Sequence, residues 1–382
     1  MASYAERLTR FQNGLTDQAD LVFFPIGTDL DYLTGLHRDI PNYGRNLHPG
    51  MWLEGAWIAP GKDPILTLPR MTVEFGAPEG LDALDVRVLG DWDDPAQLVS
   101  GILDELGVCD APRIAVSDDA EAETLIELQH LRPGVRFLSG TNLLRPQRVI
   151  KDADEIEKLR RAGAITEAAF AATVKQMKIG MTELDVLSEI DHQMKAHGSL
   201  GPSFTTSMYN TGPNISLEFG NKLKSWPRKL EPPTSVLFDF GAVLDGMCYD
   251  FGRTACMGEP SAEQIKVHRL IMESQAAGIA ALKAGAITCQ EVDKAARDVL
   301  DDAGYGEAFR HRLGHAIGWD VHEPPFLTNG DKTLVEEGMI FTIEPSIFRD
   351  GGESARVEDC VVARPDGGEV LTRGFQELIV IA

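Results

Sequence analysis

Residues 236–254 read VLFDFGAVLDGMCYDFGRT. Two apolar, β-rich runs flank Asp245-Gly246, and an Asp-Gly pair between such runs is a strong short-range hairpin signal. Each run carries one acid in apolar company: Asp239 between Phe238 and Phe240, Asp250 between Tyr249 and Phe251. With Asp245 and Gly246 as a two-residue loop and no bulge, Leu244 faces Met247 and Asp239 lies opposite Gly252. Gly252 shares a face with Asp250, because side chains alternate with a period of two. The two aspartates are then diagonal neighbours, with Cβ atoms roughly 7–8 Å apart or a little less. That suits carboxylates gripping one metal, or two metals about 3.5–4 Å apart. Solvated strand acids are the competing reading. Strands this apolar do not suit water on both faces, and buried like charges are costly without a cation.

The chain has 382 residues, enough for two domains and a large core. It is 43% hydrophobic and 25% charged, as a globular protein is. A formal net charge of -23 argues against nucleic acid or an anionic membrane as partner. The five cysteines (109, 248, 256, 289 and 360) are odd in number and form no CxxC, so neither a disulfide framework nor a zinc knuckle is indicated. They read as small buried residues in a reducing compartment. The first residues, MASYAERLTRFQNGL, lack a signal-peptide apolar core. No apolar run approaches the ~20 residues of a membrane span. The expected location is cytoplasmic.

Residues 1–148 alternate strand-like and helix-like segments, the pattern of an α/β domain. LVFFPI (21–26), GAWIAP (55–60), PILTLP (64–69) and DVRVLG (85–90) read as strands; PAQLVSGILDELG (95–107) has helical apolar spacing and a terminal glycine. RIAVS, AETLIELQHL and VRFLS continue the alternation. This part shows no catalytic cluster. Arg45, His48 and Trp52 sit on a stretch read as a surface loop, with reach to a site elsewhere as the alternative. After a polar, Pro-containing lead at RPQRV, Asp152 is placed to cap a helix, with Glu155 three residues on. The domain boundary therefore falls at 148/149, and a second domain spans 149–382.

The second domain echoes itself. One helix ends in VKQMKIGMT (174–182), with Gly180 as terminator and Thr182 capping the next helix; another ends in IAALKAGAIT (279–288), with Gly285 and Thr288 in the same roles. Each helix pair precedes a strand-rich region with two acids, Asp239 and Asp250 in the first and Glu344 and Glu358 in the second. A duplicated α+β half, with the acids meeting on a pseudo-twofold axis, is the inference.

HRLGHAIGWDVHEPP (311–325) holds His311, His315 and His322, three of the nine histidines of the chain. Gly314 and Gly318 argue against a regular helix there. MIFTIEPSIF (339–348) is a strand interrupted by Pro345, with Glu344 in apolar company beside it. In the returning strand, ARVEDCVVA (355–363), Arg356 and Glu358 share a face, while Asp359 points the other way as a structural acid. Two Asp, two Glu and one His make a hard, oxygen-rich donor set. It suits two divalent metal ions, with Mn²⁺ first and Co²⁺, Zn²⁺ or Fe²⁺ as alternatives, better than a thiolate zinc site.

The combined pattern D-x-G, D-x-x-R-T, H-R-x-G-H-x-I-G, H-E-x-P, T-I-E-P and R-x-E-D resembles the pita-bread metallopeptidases. These include Xaa-Pro aminopeptidases, prolidases and methionine aminopeptidases, with creatinase as a relative. The two-domain layout, with a creatinase-like α/β N-terminal domain and a pita-bread catalytic domain, resembles the prolidase, Xaa-Pro aminopeptidase and creatinase branch. The resemblance implies Asp239, Asp250, His315, Glu344 and Glu358 as metal ligands, with Asp250 and Glu358 bridging. It implies Glu344 as general base as well as ligand, and His322 as contact for the scissile carbonyl oxygen or as proton shuttle. His311 would line the site, and Arg356 would order Glu358 or meet the substrate carboxylate.

The activity so implied is that of a metal-dependent hydrolase cleaving the X-Pro amide bond of dipeptides or short peptide N-termini, expected as a homodimer. One departure matters. The peptidases usually carry a histidine in a G-P-N-x-x-x-P-H run before the first ligand aspartate. Here TGPNISLEFGNK (211–222) has Glu218 or Phe219 near that place and no histidine. The departure motivates two alternatives: hydrolysis of a non-peptide C–N bond, as in creatine-like compounds or cyclic amidines, and a non-catalytic binding protein on the same scaffold.

Overall fold

The structure is a computed structural model describing residues 3–36, 48–75, 84–372 and 374–382. The chain divides into two compact units, one ending at Arg148 and the next beginning at Val149.

The first unit is built on a mixed six-stranded sheet. Its strands are β1 (Leu21–Pro25), β2 (Gly55–Ile58), β3 (Ile65–Pro69), β4 (Asp85–Leu89), β5 (Arg113–Val116) and β6 (Arg136–Ser139), in the order β4-β3-β2-β1-β5-β6. β1 pairs antiparallel with β2 and parallel with β5, so it is buried on both edges and reads as a continuous apolar run. The helices are α1 (Tyr4–Leu15), α2 (Thr28–Thr34), α3 (Arg70–Phe75), α4 (Pro95–Glu105), α5 (Ala122–Leu131) and α6 (Gly140–Arg148). α6 takes up the polar stretch read as a lead, with Pro146 inside the helix. Leu144 and Arg148 are buried on it, and packing outweighs the weak local propensity. Trp52 is in this core and His48 faces Glu54 at 3.4 Å, while Arg45 lies outside the described residues.

The second unit carries two helix pairs. In the first, α7 (Ala153–Gln176) packs against α8 (Glu183–Ala196). Asp152 caps α7 by accepting from the Asp154 and Glu155 N–H groups, and Glu155 reaches back to the Asp152 N–H. Thr182 and Asp185 make the same reciprocal cap on α8. Strands β7 (Ser207–Thr211) and β8 (Thr234–Phe240) follow, with the short helix α9 (Lys222–Ser225) between them. Next come β9 (Val243–Leu244), β10 (Met247–Cys248) and β11 (Phe251–Met257). Leu244 pairs with Met247 across a turn in which Asp245 (φ 49°) and Gly246 (φ 78°) both have positive φ. That is the turn geometry an Asp-Gly pair favours. Asp239 lies opposite Gly252, in the register expected without a bulge.

Phe170 of α7 packs on Phe238, Phe240 and Phe251. This cluster holds one face of the β8–β11 pair against the helix and turns the aspartate face away from it.

The second pair, α10 (Ala262–Ala281) and α11 (Cys289–Asp302), precedes β12 (Gly314–Ala316), β13 (Glu323–Leu327), β14 (Ile340–Ile343), β15 (Ser346–Ile347), β16 (Ala355–Arg356), β17 (Asp359–Arg364) and β18 (Gly367–Val370). β19 (Ile379–Ile381) returns to pair parallel with β11. The larger sheets run β19-β11-β8-β7 and β13-β12-β14-β17-β18. Val267, Ile271, Val292, Phe341 and Val361 belong to the core beneath α10 and α11. The five cysteines are free, four buried and Cys109 exposed. Among the described residues, no helix is long and apolar enough to cross a membrane.

Candidate metal centre

Five elements of the second unit send acids and a histidine to one place. Asp239 comes from β8 and Asp250 from the residue before β11. His315 lies on β12, Glu344 just past the end of β14, and Glu358 immediately before β17. A donor atom of each of Asp239, Asp250 and Glu358 lies within 4.8 Å of the others; the same holds for His315, Glu344 and Glu358, and for Asp250, His315 and His322. His315, Asp250, Glu344 and Glu358 are buried, Asp239 is half-buried and His322 is exposed. Asp239, Asp250, His315, His322 and Glu344 line a cavity of about 510 Å³.

The His315 ring fixes its own polarity. Nδ1 lies 3.1 Å from the Ala316 carbonyl, which only accepts, so Nδ1 carries the proton. Nε2 then presents a lone pair to Asp250 Oδ2 at 3.7 Å and Glu344 Oε1 at 3.4 Å. Burial, with His322 adding to it, holds the His315 pKa well below its ordinary value, so the ring itself stays neutral. Asp250 Oδ1 and Glu358 Oε1 are buried without a hydrogen-bond partner. A lone pair and unpaired carboxylate oxygens facing one space are what divalent cations would satisfy, so the residues present fit a metal centre.

The carboxyl groups show the same tension. Burial raises the Asp250 pKa well above its usual range, and the charges of Glu358, Asp239 and Glu344 push the same way. Burial also raises Glu358, against the pull of Arg356, and pushes Glu344 up to about 7. Arg356 partly offsets the negative charge: Nη2 donates to Glu358 Oε2 at 2.7 Å and to Glu344 Oε2 at 2.8 Å, and lies 3.4 Å from Asp239. Burial works against its charge, but the surrounding carboxylates outweigh it and raise its pKa well above the ordinary value.

His311 is half-buried, with Nδ1 against the Arg312 carbonyl at 2.7 Å and 3.9 Å from Glu344. Burial, followed by Arg356, pushes its pKa down to about 4, so it lines the cavity as a neutral ring. The His322 ring packs on His315 with centroids 4.0 Å apart and planes tilted by 58°, and its pKa is lowered by partial desolvation and then by Arg312.

Behind these groups, Arg253 donates to the Glu358 and Gly252 carbonyls at 2.8 Å each and to Asp359 Oδ1 at 2.7 Å. Asp359 thus faces away from the cavity. Arg312, Ser203, Phe204, Ser207 and Val321 also line the cavity, and sequence reasoning assigned none of them a role. Arg312 had one signal, its place between His311 and the His315 motif. The serines and Phe204 had none, being carried in by the fold.

At the place where the peptidase pattern has a histidine, Glu218 is bound to Lys224 and lies 3.3 Å from Arg228. Phe219 is half exposed and packs on Tyr209 and Phe348, whose ring faces His311 at 5.8 Å.

Comparison with known proteins places this arrangement in a family. Residues 157–365 match the model of metallopeptidase family M24. An Xaa-Pro dipeptidase of Lactobacillus helveticus is 32% identical over 380 residues, covering 98% of each chain. The structure superposes on a dipeptidase from Pyrococcus horikoshii with a TM-score of 0.86 and 29% identity, over 98% of this chain and 100% of that one. A prolidase from Thermococcus sibiricus gives 0.88 and 26%, over 100% of both chains. With the family model matched across its acid-bearing half and a relative similar along nearly its whole length, this chain belongs to metallopeptidase family M24.

Proposed function

We propose that the chain hydrolyses the amide bond between a residue and a following proline in dipeptides or short peptides. The observation that carries this is the convergence of four carboxylates and the His315 lone pair on one buried space. The names of the Lactobacillus, Pyrococcus and Thermococcus relatives support the substrate class.

Asp239, Asp250, His315, Glu344 and Glu358 would hold two divalent cations, with Asp250 and Glu358 shared between them. When bound, such ions polarise a carbonyl and lower the pKa of water. Glu344 accepts the proton of the attacking water at a carboxylate oxygen. His322, at the exposed side of the cavity, meets the scissile carbonyl oxygen. Arg356 holds Glu358 and Glu344 in place, and neutral His311 closes the wall. Arg312 supplies a cation at the rim for a peptide carboxylate. The resemblance to the pita-bread enzymes further supports Mn²⁺ as the ion, a homodimer as the assembly and a duplicated half in the catalytic unit.

The test is turnover of a panel of X-Pro dipeptides by protein loaded with Mn²⁺. Cleavage at proline, lost on chelation and restored by the ion, is expected. No turnover of any member would move the reading to a non-peptide C–N bond, the alternative motivated by Glu218 and Phe219 standing where the peptidase pattern has a histidine.

A further inference from the structure

The loop 317–323 carries His322 and Val321 into the cavity, and it is fastened from outside the metal centre. Lys151, just before α7, sends its ammonium to Glu323 Oε2 at 2.7 Å. The Lys151 side chain is fully buried and that of Glu323 is 7% exposed. Glu323 Oε1 accepts from the Asp320 N–H at 3.0 Å, so one carboxylate ties the loop to itself and to the start of α7. Trp319 Nε1 donates to Glu155 Oε1 at 2.7 Å, while the other oxygen of Glu155 caps α7. The Cys248 N–H donates to the Gly318 carbonyl at 2.7 Å. Lys151 passes so close to Gly318 that a Cβ there would run into its Cε.

A buried ion pair is a poor source of stability, because desolvation takes back most of the attraction. Its direction is what it supplies: the 2.7 Å ion pair and the 3.0 Å backbone bond fix a carboxylate from two sides, and that carboxylate is on the residue next to His322. His322 itself has little else to hold it. Its ring is exposed, packs at a 58° tilt on His315, and has Arg312 Nη2 3.5 Å from Nδ1.

We propose that the Lys151–Glu323 pair is a positioning device for His322, setting the loop so that the imidazole meets the reacting carbonyl. This rests on the role given to His322 under the proposed function. Lys151 touches neither substrate nor ion and acts through its neighbour. A misplacement of about 1 Å at a reacting group costs up to roughly 100-fold in rate.

The experiment is a double-mutant cycle on full-length, Mn²⁺-loaded protein cleaving Ala-Pro. Lys151→Met is expected to lower kcat by roughly 10- to 100-fold with KM little moved, as for a contact made in the transition state. In the His322→Ala background the same substitution should cost nothing further. Glu323→Gln, which keeps an acceptor for the Asp320 N–H, repeats the test where Lys151→Met folds poorly. Losses that multiply in the double variant, or a change confined to KM, would overturn the proposal. A second readout needs no turnover. In the metal-free protein with ¹⁵N-labelled histidine, Glu323→Gln should move the ring signals of His322 and leave those of the exposed His192 and His197 unmoved. Unchanged His322 signals would overturn the proposal, whereas a wild type inert toward every X-Pro peptide would overturn the substrate reading alone.

Discussion

Gly252 and Glu358 exchange backbone hydrogen bonds in both directions, 3.2 Å from the Gly252 N–H and 2.9 Å from the Glu358 N–H. This single antiparallel bridge joins the strand after Asp250 to the segment that carries Glu358. It sets the two carboxylates proposed to be shared between the ions side by side. A Cβ at position 252 would stand 3.0 Å from Glu358 Cβ and 3.2 Å from Arg356 Nε, so any side chain there would press on both residues.

Replacing Glu358 by Ala leaves the bridge in place and removes the carboxylate. Calorimetric titration with Mn²⁺ should then show loss of binding. The ion should also stop stabilising the fold, an effect worth about 2.7 kcal/mol in the wild type at an ion concentration near 100 times Kd. Thermal denaturation with and without the ion checks this.

The Arg356 guanidinium donates to both glutamates. Arg356→Met leaves buried carboxylates without that partner. It should destabilise the metal-free protein by about 3–5 kcal/mol, the usual cost of breaking a buried pair from one side. Urea denaturation should show a smaller loss with Mn²⁺ present, because the ions supply positive charge in the same space.

Glu344→Gln keeps the shape of the side chain and removes the base. A kcat loss of roughly 10²- to 10⁴-fold is expected. Titration should still find bound ions, held less tightly.

Glu183 offers a test of stability away from the centre. It is buried at the start of α8, and burial pushes its pKa up to about 7, with Ser225 and Arg228 only partly opposing. Its folded pKa exceeds the unfolded value, so the native state takes up the extra proton. The stability this lends is complete below about pH 4.5 and is lost as the pH rises through about 7. Glu183→Gln should therefore leave stability unchanged at pH 4 and raise it by about 1–3 kcal/mol at pH 8. Urea unfolding across that range measures the difference.

The centre was legible where local patterning forces geometry. Asp245-Gly246 fixes the register that places Asp239 opposite Gly252, and the alternation around Arg356 and Glu358 separates the facing acid from Asp359. Capping chemistry at Asp152 and Thr182 marks helix starts just as locally. What stayed hidden depends on tertiary contact. Lys151 is a lysine before a helix, and nothing nearby in sequence shows that Glu323 lies against it. Ser207 reaches the cavity because β7 pairs with β8, and Ser203 is held there by its bonds to the Gly241 and Tyr249 carbonyls. The helix over 140–148 was hidden by its proline and polar residues, whose propensity is overridden by burial of Leu144 and Arg148.

The parallel pairing of Ile379–Ile381 with β11 bears on how the molecule is made. A ribosome delivers Asp239 and Asp250 long before His315, Glu344, Arg356 and Glu358, and the strand that flanks β11 later still. For much of translation the early hairpin holds its two acids with neither the arginine that offsets them nor the remaining donors. Ion capture by the five proposed donors would therefore wait until Glu358 has been made, and a protein interrupted before that residue would lack the full proposed donor set.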